Sequence, residues 1–179
     1  MKTPLLETKR LRLRPITEDD VGFIFRLFSA PETNQYSSSE DLATLGDATR
    51  MYQEYLKPGF PSHFRLAVEV TKTGEAIGTL GFYKYSERDR SAILGYDLMQ
   101  FHWGHGYMTE TVGALLGYGF DELRLNRVEA TVDPPNLRSV RLLERLGFTL
   151  EGCMREKYFY KGCFHDELIY SLLKKDWSP

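Results

Sequence analysis

The sequence predicts a single α/β domain whose sheet is partly parallel, and three observations lead to that prediction. The segment 91–123 combines a strand, a glycine-containing turn and an amphipathic helix. A further strand and a further helix follow within 127–146, and this alternation is typical of β-α-β units. Earlier in the chain, the segment 64–85 has two strand-like runs around a Thr-Gly turn, which predicts an antiparallel hairpin.

The first part of the chain predicts one strand and two helices. Apolar and charged residues alternate at 11–14, as in a half-buried strand. Thr17 stands before three acidic residues and is predicted to be the N-cap of the first helix. The polar segment 31–46 is expected to be mobile. A second helix is predicted over 48–56, and the Pro-Gly pair at 58–59 is expected to end it.

The rest of the chain predicts seven strands and two helices. Apolar residues at spacings of three and four define the longer helix. Asn136 is predicted to cap the shorter helix and Gly147 to end it. In chain order, the predicted elements are strands at 64–70, 75–85 and 92–99, a helix at 108–123, a strand at 127–132, a helix at 137–146, and strands at 148–150, 157–160 and 166–173.

The composition is that of an ordinary globular domain. Of the 179 residues, 42% are hydrophobic and 27% are charged, and 23 basic and 25 acidic side chains give a net charge of −2. A charge so near zero argues against a broad attraction to nucleic acid. No apolar run approaches the roughly 20 residues that span a bilayer, and the N-terminus has no apolar signal segment. We therefore expect one domain, residues 1–179, in the cytoplasm, with no binding to nucleic acid or membranes.

The cysteines and histidines predict neither a disulfide nor a metal site. Cys153 and Cys163 are ten residues apart and are able to face each other across a hairpin, but cytoplasmic cysteines are usually free thiols. His102 and His105 lie in one turn, and the other two histidines are distant in the sequence. This spacing is not that of metal ligands, so we expect no metal.

The turn Gly104-His105-Gly106 directly precedes a helix and has two interpretations. The first backbone N–H groups of a helix have no partner within it, and the helix dipole makes that end partly positive. Glycines there allow phosphate groups to approach the backbone closely, and the Thr109 hydroxyl is a further donor. A tight turn without a ligand has the same sequence pattern. The turn alone leaves both interpretations open.

Three motifs together resemble a known family. They are WGHGYMTE, NRVEATVDPPNLRSVRLLERLGF and the closing Gly-x-x-x-Asp pattern of Gly162 and Asp166. In this order, they resemble the GNAT superfamily of acetyl-CoA-dependent N-acetyltransferases, and within it the branch that includes the ribosomal-protein N-terminal acetyltransferases of bacteria. The resemblance implies a single α+β domain with a mixed, mostly antiparallel sheet. Its central parallel strands are splayed, and helices flank the sheet.

The resemblance also implies a binding site for acetyl-CoA. The pantetheine arm of the coenzyme is expected between the splayed strands, where the backbone of Leu98 and Met99 pairs with its amides. Asn136 is expected to contact the coenzyme arm, and Ser139 to lie near its sulfur. The pyrophosphate is expected on the N–H groups of Gly104, His105, Gly106, Met108 and Thr109.

The chain departs from the family pattern at two positions. Relatives usually have Gln or Arg three residues before the first glycine of the phosphate loop, and that residue is Phe101 here. Backbone donors form most of the cradle, so the site is expected to persist with less help from side chains. Relatives also often have a glutamate where this chain has Ile93. The usual carboxylate base is therefore missing from this strand.

Asp97, Leu98 and Ser139 are the candidate catalytic residues. Direct attack of an amine on the acetyl thioester needs a base, a polarised carbonyl group and a proton for the departing thiolate. Asp97 is the candidate base; a solvated charge and a binding site for a cationic substrate are its alternatives. The N–H of Leu98 is the candidate donor to the carbonyl oxygen. Ser139 is the candidate proton donor, unless its hydroxyl only bonds the helix backbone. The alternative proton donors are Tyr96, Tyr158 and Tyr160.

The predicted function is acetyl transfer to the α-amino group of a protein or peptide. The same chemistry on a small amine, such as a polyamine, an amino sugar or an amino-acid analogue, is the nearest alternative. A non-catalytic sensor of acyl-coenzyme A is the alternative from another class, because the usual glutamate is missing at Ile93. The sequence leaves open the acceptor and the choice between a monomer and a homodimer.

Overall fold

The described residues, which are 4–36, 40–56 and 64–178 of the computed structural model, form eight β-strands and four α-helices. The strands are β1 (Leu6–Glu7), β2 (Leu11–Pro15), β3 (Phe64–Val70), β4 (Glu75–Ser86), β5 (Ser91–Leu98), β6 (Arg127–Val132), β7 (Thr149–Tyr160) and β8 (Cys163–Leu173). The helices are α1 (Val21–Phe28), α2 (Leu45–Leu56), α3 (Tyr107–Asp121) and α4 (Leu137–Arg145). All eight strands belong to one sheet in the order β1-β2-β3-β4-β5-β6-β8-β7.

The centre of the sheet opens between β5 and β6. These two strands run parallel, and all other neighbouring pairs are antiparallel. Their pairing extends only from Ser91↔Arg127 to Ile93↔Glu129. β5 continues to Leu98 and β6 to Val132, so the strands separate and leave a gap at their carboxyl ends. The predicted α+β fold, a mostly antiparallel sheet with splayed parallel strands, is confirmed.

Helices pack on both faces of the sheet. Successive side chains of a strand point to opposite faces, so β3 contributes Leu66 and Val68 to one core and Ala67 to the other. The larger core includes Val112, Leu115, Leu116 and Phe120 of α3 and Leu143 of α4. The smaller core includes Phe23, Ile24 and Leu27 of α1 and Ala48 of α2. On the face of the larger core, α3 and α4 border the gap between β5 and β6.

The two edges of the sheet differ from the prediction. The short strand β1 was not predicted; its two residues pair with β2 alone. The predicted strands 148–150 and 157–160 are parts of one strand, β7. A bulge at 155–157 lies opposite Asp166, whose carboxylate accepts a hydrogen bond from the Glu156 N–H (2.8 Å). Most β7 side chains are exposed, so this edge strand lacks the alternation that sequence analysis needs.

Within the segment 31–46, Asn34 joins two described parts of the chain. Asn34 is 2% exposed, and its side-chain N–H groups donate to the carbonyl of Phe28 and to Asp41. The expectation of a mobile segment stays a prediction. The predicted end of α2 at 58–59 lies outside the described residues. Among the described residues, no helix is both long enough and apolar enough to cross a bilayer.

Candidate active site

The gap between β5 and β6 opens into a cleft of about 900 Å³ that passes from one face of the sheet to the other. It collects residues from distant parts of the chain, among them most of the residues singled out in the sequence. The predicted site residues that line it are Asp97, Leu98, Gly104, Gly106, Met108, Thr109, Asn136 and Ser139. Met99 and His105 do not line it.

The start of α3 forms a set of free N–H donors at one end of the cleft. Gly106 is the N-cap, and its φ of +75° is a conformation that favours glycine. Within the described chain, the first helical N–H that bonds a preceding carbonyl is that of Glu110, which donates to Gly106 (3.1 Å). The N–H groups of residues 107–109 therefore lack backbone acceptors, as the interpretation as a phosphate cradle requires.

An ion pair fixes this turn to the N-terminal hairpin. Arg10 binds Glu110 at 2.7 Å and also donates to the carbonyl of His105 (3.0 Å). Thr8 donates to the same glutamate at 2.6 Å. Burial opposes the ionisation of Glu110, but the hydrogen bonds from Thr8 and Arg10 outweigh it and lower its pKa. His105 thus contributes its carbonyl to the support of the turn, and its ring stacks on Tyr107 at 5.6 Å.

The backbone of β5 faces the cleft at alternate residues. In an antiparallel pair, every second residue directs its N–H and C=O toward the partner strand. The N–H of Met99 donates to Ile77 of β4 (2.9 Å), so the backbone groups of Leu98 and Tyr96 point away from β4 and into the gap. The carbonyl of Leu98 accepts a hydrogen bond from the Trp103 indole N–H (2.8 Å). The N–H of Leu98 is therefore the backbone group of this residue that remains for a ligand in the gap.

Met99 is not brought into the site. Its N–H is used by β4, and its carbonyl accepts from the N–H of His102 (3.0 Å). Its side chain packs against the smaller core. The expected pairing of Met99 with pantetheine amides therefore has no geometric support, because the turn after β5 already uses its backbone.

Ser139 and Tyr96 meet across the gap. Their hydroxyl oxygens are 2.5 Å apart, so the alternative in which Ser139 bonds only the backbone is wrong. Asn136 accepts a hydrogen bond from the Ser139 N–H (3.2 Å), which makes it the N-cap of α4, and it also lines the cleft. Burial raises the pKa of Tyr96 to about 12, although its hydrogen bond with Ser139 acts in the opposite direction. The hydroxyl groups of Tyr96 and Ser139 therefore stay protonated over the physiological pH range.

Asp97 lies on the other face of the sheet and is paired rather than solvated. It forms an ion pair with Arg65 of β3 and accepts from Thr79 of β4 (3.4 Å). The side chains of Asp97 and Arg65 are 25% and 17% exposed, so the alternative of a solvated strand-end charge is wrong. Burial raises the pKa of Asp97, while Arg65 and Thr79 act to lower it.

Glu167 is a second carboxylate on the same face and is buried. It is 8% exposed, lines the cleft and lies next to Tyr83 and Tyr158. Burial raises the pKa of Tyr158, and the neighbouring Glu167 raises it further. Within the described part of the chain, no Lys or Arg pairs with Glu167. Gly95 leaves room for Tyr83 and Arg65 on this face, because an added Cβ at this position would stand only 3.1 Å from each of the two side chains.

Comparison with known proteins identifies the family. The profile of the acetyltransferase (GNAT) domain matches residues 10–149. The chain belongs to the GNAT acetyltransferase family. The GNAT chain is 36% identical to the uncharacterized N-acetyltransferase YoaA of Bacillus subtilis (strain 168), over 96% of its own length and 97% of that protein. The family and the prediction of an N-acetyltransferase are confirmed.

Solved structures share the fold of this GNAT chain. A spermidine N-acetyltransferase from Vibrio cholerae in complex with CoA and spermine has a TM-score of 0.85 at 24% identity, over 94% of this chain and 98% of that one. A ribosomal-protein-S5-alanine acetyltransferase from Vibrio fischeri has a TM-score of 0.82 at 23% identity, over 99% of this chain and all (100%) of that one. These neighbours act on chemically different amines, so the fold does not select an acceptor for this chain.

The GNAT chain has arginines near the cradle that the sequence analysis did not single out. They lie on one face of α4, at spacings of three and four, and all line the cleft. Phe101, which replaces the polar residue of the family motif, is 93% exposed. The guanidinium of one arginine stacks over the Trp103 ring at 4.6 Å, close to the cradle. The three arginines are Arg138, Arg141 and Arg145.

Proposed function

We propose that this GNAT enzyme transfers the acetyl group of acetyl-CoA to a primary amine within the gap between β5 and β6. The gap itself is the observation that carries the proposal. At one end, free N–H donors begin α3, and on the other face of the sheet lie two carboxylates, the half-buried Asp97 and the buried Glu167. A coenzyme with phosphates and a cationic amine therefore each find complementary charge on opposite sides of the opening.

The residues around the coenzyme end fit acetyl-CoA. The N–H groups of the segment 104–109 are suited to the pyrophosphate, and the arginines of α4 add positive charge beside them. The Leu98 N–H and the Asn136 side chain are directed to the pantetheine arm. Acetyl-CoA supplies the acetyl thioester on which the reaction depends.

The buried polar groups provide the three steps that the chemistry needs. Glu167 accepts the proton that the attacking amine loses. The Leu98 N–H donates to the carbonyl oxygen as negative charge develops on it. When the new C–N bond forms and the C–S bond breaks, the linked hydroxyls of Ser139 and Tyr96 relay a proton to the thiolate, and solvent returns a proton to the hydroxyl pair. A thiolate with a pKa near 8.5 is a good leaving group, so the C–S bond breaks with little help from an acid.

Asp97 is assigned a different role from Glu167. Its carboxylate is already occupied by Arg65 and Thr79, so proton transfer to it competes with an ion pair. It lies on the acceptor face, next to the path of the amine. We therefore infer that Asp97 holds Arg65 in position on the acceptor face, while Glu167 is the base.

The acceptor face favours an α-amino group of a protein or peptide over a polyamine. Asp97 is paired with Arg65, and Asp133 with Tyr160 and His165. On the described acceptor face, Glu167 is thus the buried carboxylate that has no Lys or Arg partner, which suits one ammonium group rather than several.

Acetyl incorporation into three acceptors tests this proposal. The acceptors are a lysine-free peptide with a free N-terminus, an N-terminally blocked peptide with one lysine, and spermidine. We expect kcat/KM for the free N-terminus to exceed the other two by about tenfold, which corresponds to about 1.4 kcal/mol. A preference for spermidine would establish the small-amine alternative. Acetylation of none of these amines would contradict the proposed reaction.

Removal of either linked hydroxyl should slow the reaction without weakening coenzyme binding. We expect Ser139→Ala and Tyr96→Phe each to lower kcat about tenfold, because proton supply to a good leaving group is helpful but not essential. The raised pKa of Tyr96 keeps its proton in place up to about pH 10, so the wild-type rate should not fall on the alkaline side. Steady-state rates and acetyl-CoA titration give the two quantities.

The matched control for the tyrosine change is Tyr85→Phe. Tyr85 lies on the neighbouring strand β4 and packs against the larger core, outside the cleft lining. This variant should keep the wild-type kcat. If Ser139→Ala lowered acetyl-CoA affinity and kcat equally, Ser139 would be a binding residue rather than a proton donor.

A further inference from the structure

At the tip of the β7–β8 hairpin, a cysteine lies next to a histidine, and an aspartate from another strand lies on the other side of the same imidazole. Sγ of Cys163 is 3.1 Å from Nε2 of His165. Nδ1 of the same imidazole is 3.6 Å from Oδ2 of Asp133, at the end of β6. Cysteine beside an imidazole that a carboxylate orients is the arrangement that activates a thiol as a nucleophile. The sequence analysis expected only free thiols here.

The surroundings hold the imidazole in this position. The Tyr160 ring stacks on His165 with a centroid distance of 3.6 Å, and its hydroxyl donates to Asp133. At the turn of the hairpin, Lys161 donates to the carbonyl of Asn34 (2.8 Å), which ties the tip to the loop after α1. The histidine is thus fixed between an aromatic ring, a carboxylate and the hairpin.

The imidazole lies between the thiol and a carboxylate. Asp133 is 3.6 Å from Nδ1, and Nε2 is 3.2 Å from the carbonyl of Tyr160 as well as close to Sγ. If the thiol proton moves to Nε2, the positive ring lies between the thiolate and the Asp133 carboxylate. The thiolate is the reactive form of cysteine.

Cys153 provides an internal comparison. Both cysteines are free and exposed. Sγ of Cys153 lies 3.9 Å from a carboxylate oxygen of Asp166. Cys153 therefore faces a carboxylate, whereas Cys163 faces an imidazole, the general base that activates a thiol. Two exposed thiols of one hairpin therefore have opposite electrostatic surroundings.

We propose that Cys163 is a modification site: it forms mixed disulfides with small disulfides, and the adduct obstructs the acceptor end of the cleft. The Cys163 sulfur attacks one sulfur of the small disulfide, a new S–S bond forms, and the old S–S bond breaks. The thiol proton passes to His165 and then to the departing thiolate, so the exchange needs no other oxidant. His165 and Tyr160 line the cleft, and the adduct is attached directly beside them. This effect on catalysis rests on the proposed function.

Glutathione disulfide is the probe, applied to the full chain and followed by intact mass and peptide mapping. We expect modification at Cys163 to be about tenfold faster than at Cys153 in the same molecule. Cys153→Ser should keep the fast phase, and Cys163→Ser and His165→Gln should lose it. Equal rates at the two cysteines in the wild-type chain would overturn the proposed reactivity, whatever the folding of the variants.

The second readout is acetyl transfer by the modified chain. We expect modification at Cys163 to lower the rate about tenfold, dithiothreitol to restore it, and Cys163→Ser to be insensitive to glutathione disulfide. An active adduct would overturn the obstruction but not the thiol reactivity. If the unmodified chain acetylates no amine, the proposed function fails, while the mass measurement still decides whether Cys163 is the reactive thiol.

Discussion

Gly106→Val lowers the affinity for acetyl-CoA by at least about 100-fold, a loss of about 2.8 kcal/mol, if the start of α3 is the phosphate cradle. Gly106 has a φ of +75° at the N-cap of α3. A branched side chain there stands where a phosphate approaches the N–H groups of 107–109, and it strains the turn that presents them. Calorimetric titration of acetyl-CoA into wild type and variant measures the effect.

Gly74→Val is the matched control for this change. Gly74 lies in the β3–β4 hairpin with a φ of +73°, and an added Cβ there meets nothing within 4 Å. Both variants therefore carry similar backbone strain, about 1–2 kcal/mol. We expect them to lower the melting temperature similarly and Gly74→Val to bind acetyl-CoA as tightly as wild type. Equal affinities of Gly106→Val and wild type would contradict the cradle.

Glu167→Gln is expected to have the largest effect on turnover. Glutamine keeps the size of the side chain but is unable to accept the amine proton, so we expect kcat to fall about 100-fold. The affinity for acetyl-CoA should stay the same, because Glu167 lies on the acceptor face, away from the cradle. Steady-state kinetics with the preferred amine, together with acetyl-CoA titration, separate the two effects.

Two further variants complete this experiment: Glu129→Gln is the matched control, and Asp97→Asn tests the alternative base. Glu129 is on the neighbouring strand β6, is paired with Arg127 at 2.7 Å and does not line the cleft, so Glu129→Gln should keep the wild-type kcat. Asp97→Asn breaks the ion pair with Arg65 and should mainly raise KM for the amine. If Glu167→Gln were fully active and Asp97→Asn inactive, Asp97 would be the base.

Local patterns in the sequence were sufficient for the helices, and they also predicted the cradle, which stays a prediction. The apolar spacing of α3, the capping residue Asn136 and the glycines before α3 all act within a few residues of the chain. The strand β7 was divided in the prediction because its bulge and its exposed edge remove the period of two. Composition also did not reveal that Asn34 is buried, because its partners are fixed by the path of the folded chain.

The acceptor side depends on contacts that sequence spacing does not contain. Asp97 meets Arg65 only through the registers of β3 with β4 and of β4 with β5. Glu167 comes from β8, which lies next to β6 although it is last in the chain. The usual glutamate of the central strand is Ile93 here, and the buried carboxylate is supplied from another strand. The adjacent acidic residues Asp166 and Glu167, directly before the apolar run of β8, were the available sequence indication.

The most direct measurement of the central claim is calorimetric titration of acetyl-CoA into the purified wild-type chain, with NADH as the control ligand. NADH also carries a pyrophosphate and an adenosine but lacks the pantetheine arm. The cradle and the gap together predict one site with micromolar affinity for acetyl-CoA and no binding of NADH. Absence of acetyl-CoA binding, or equal binding of the two ligands, would contradict the account.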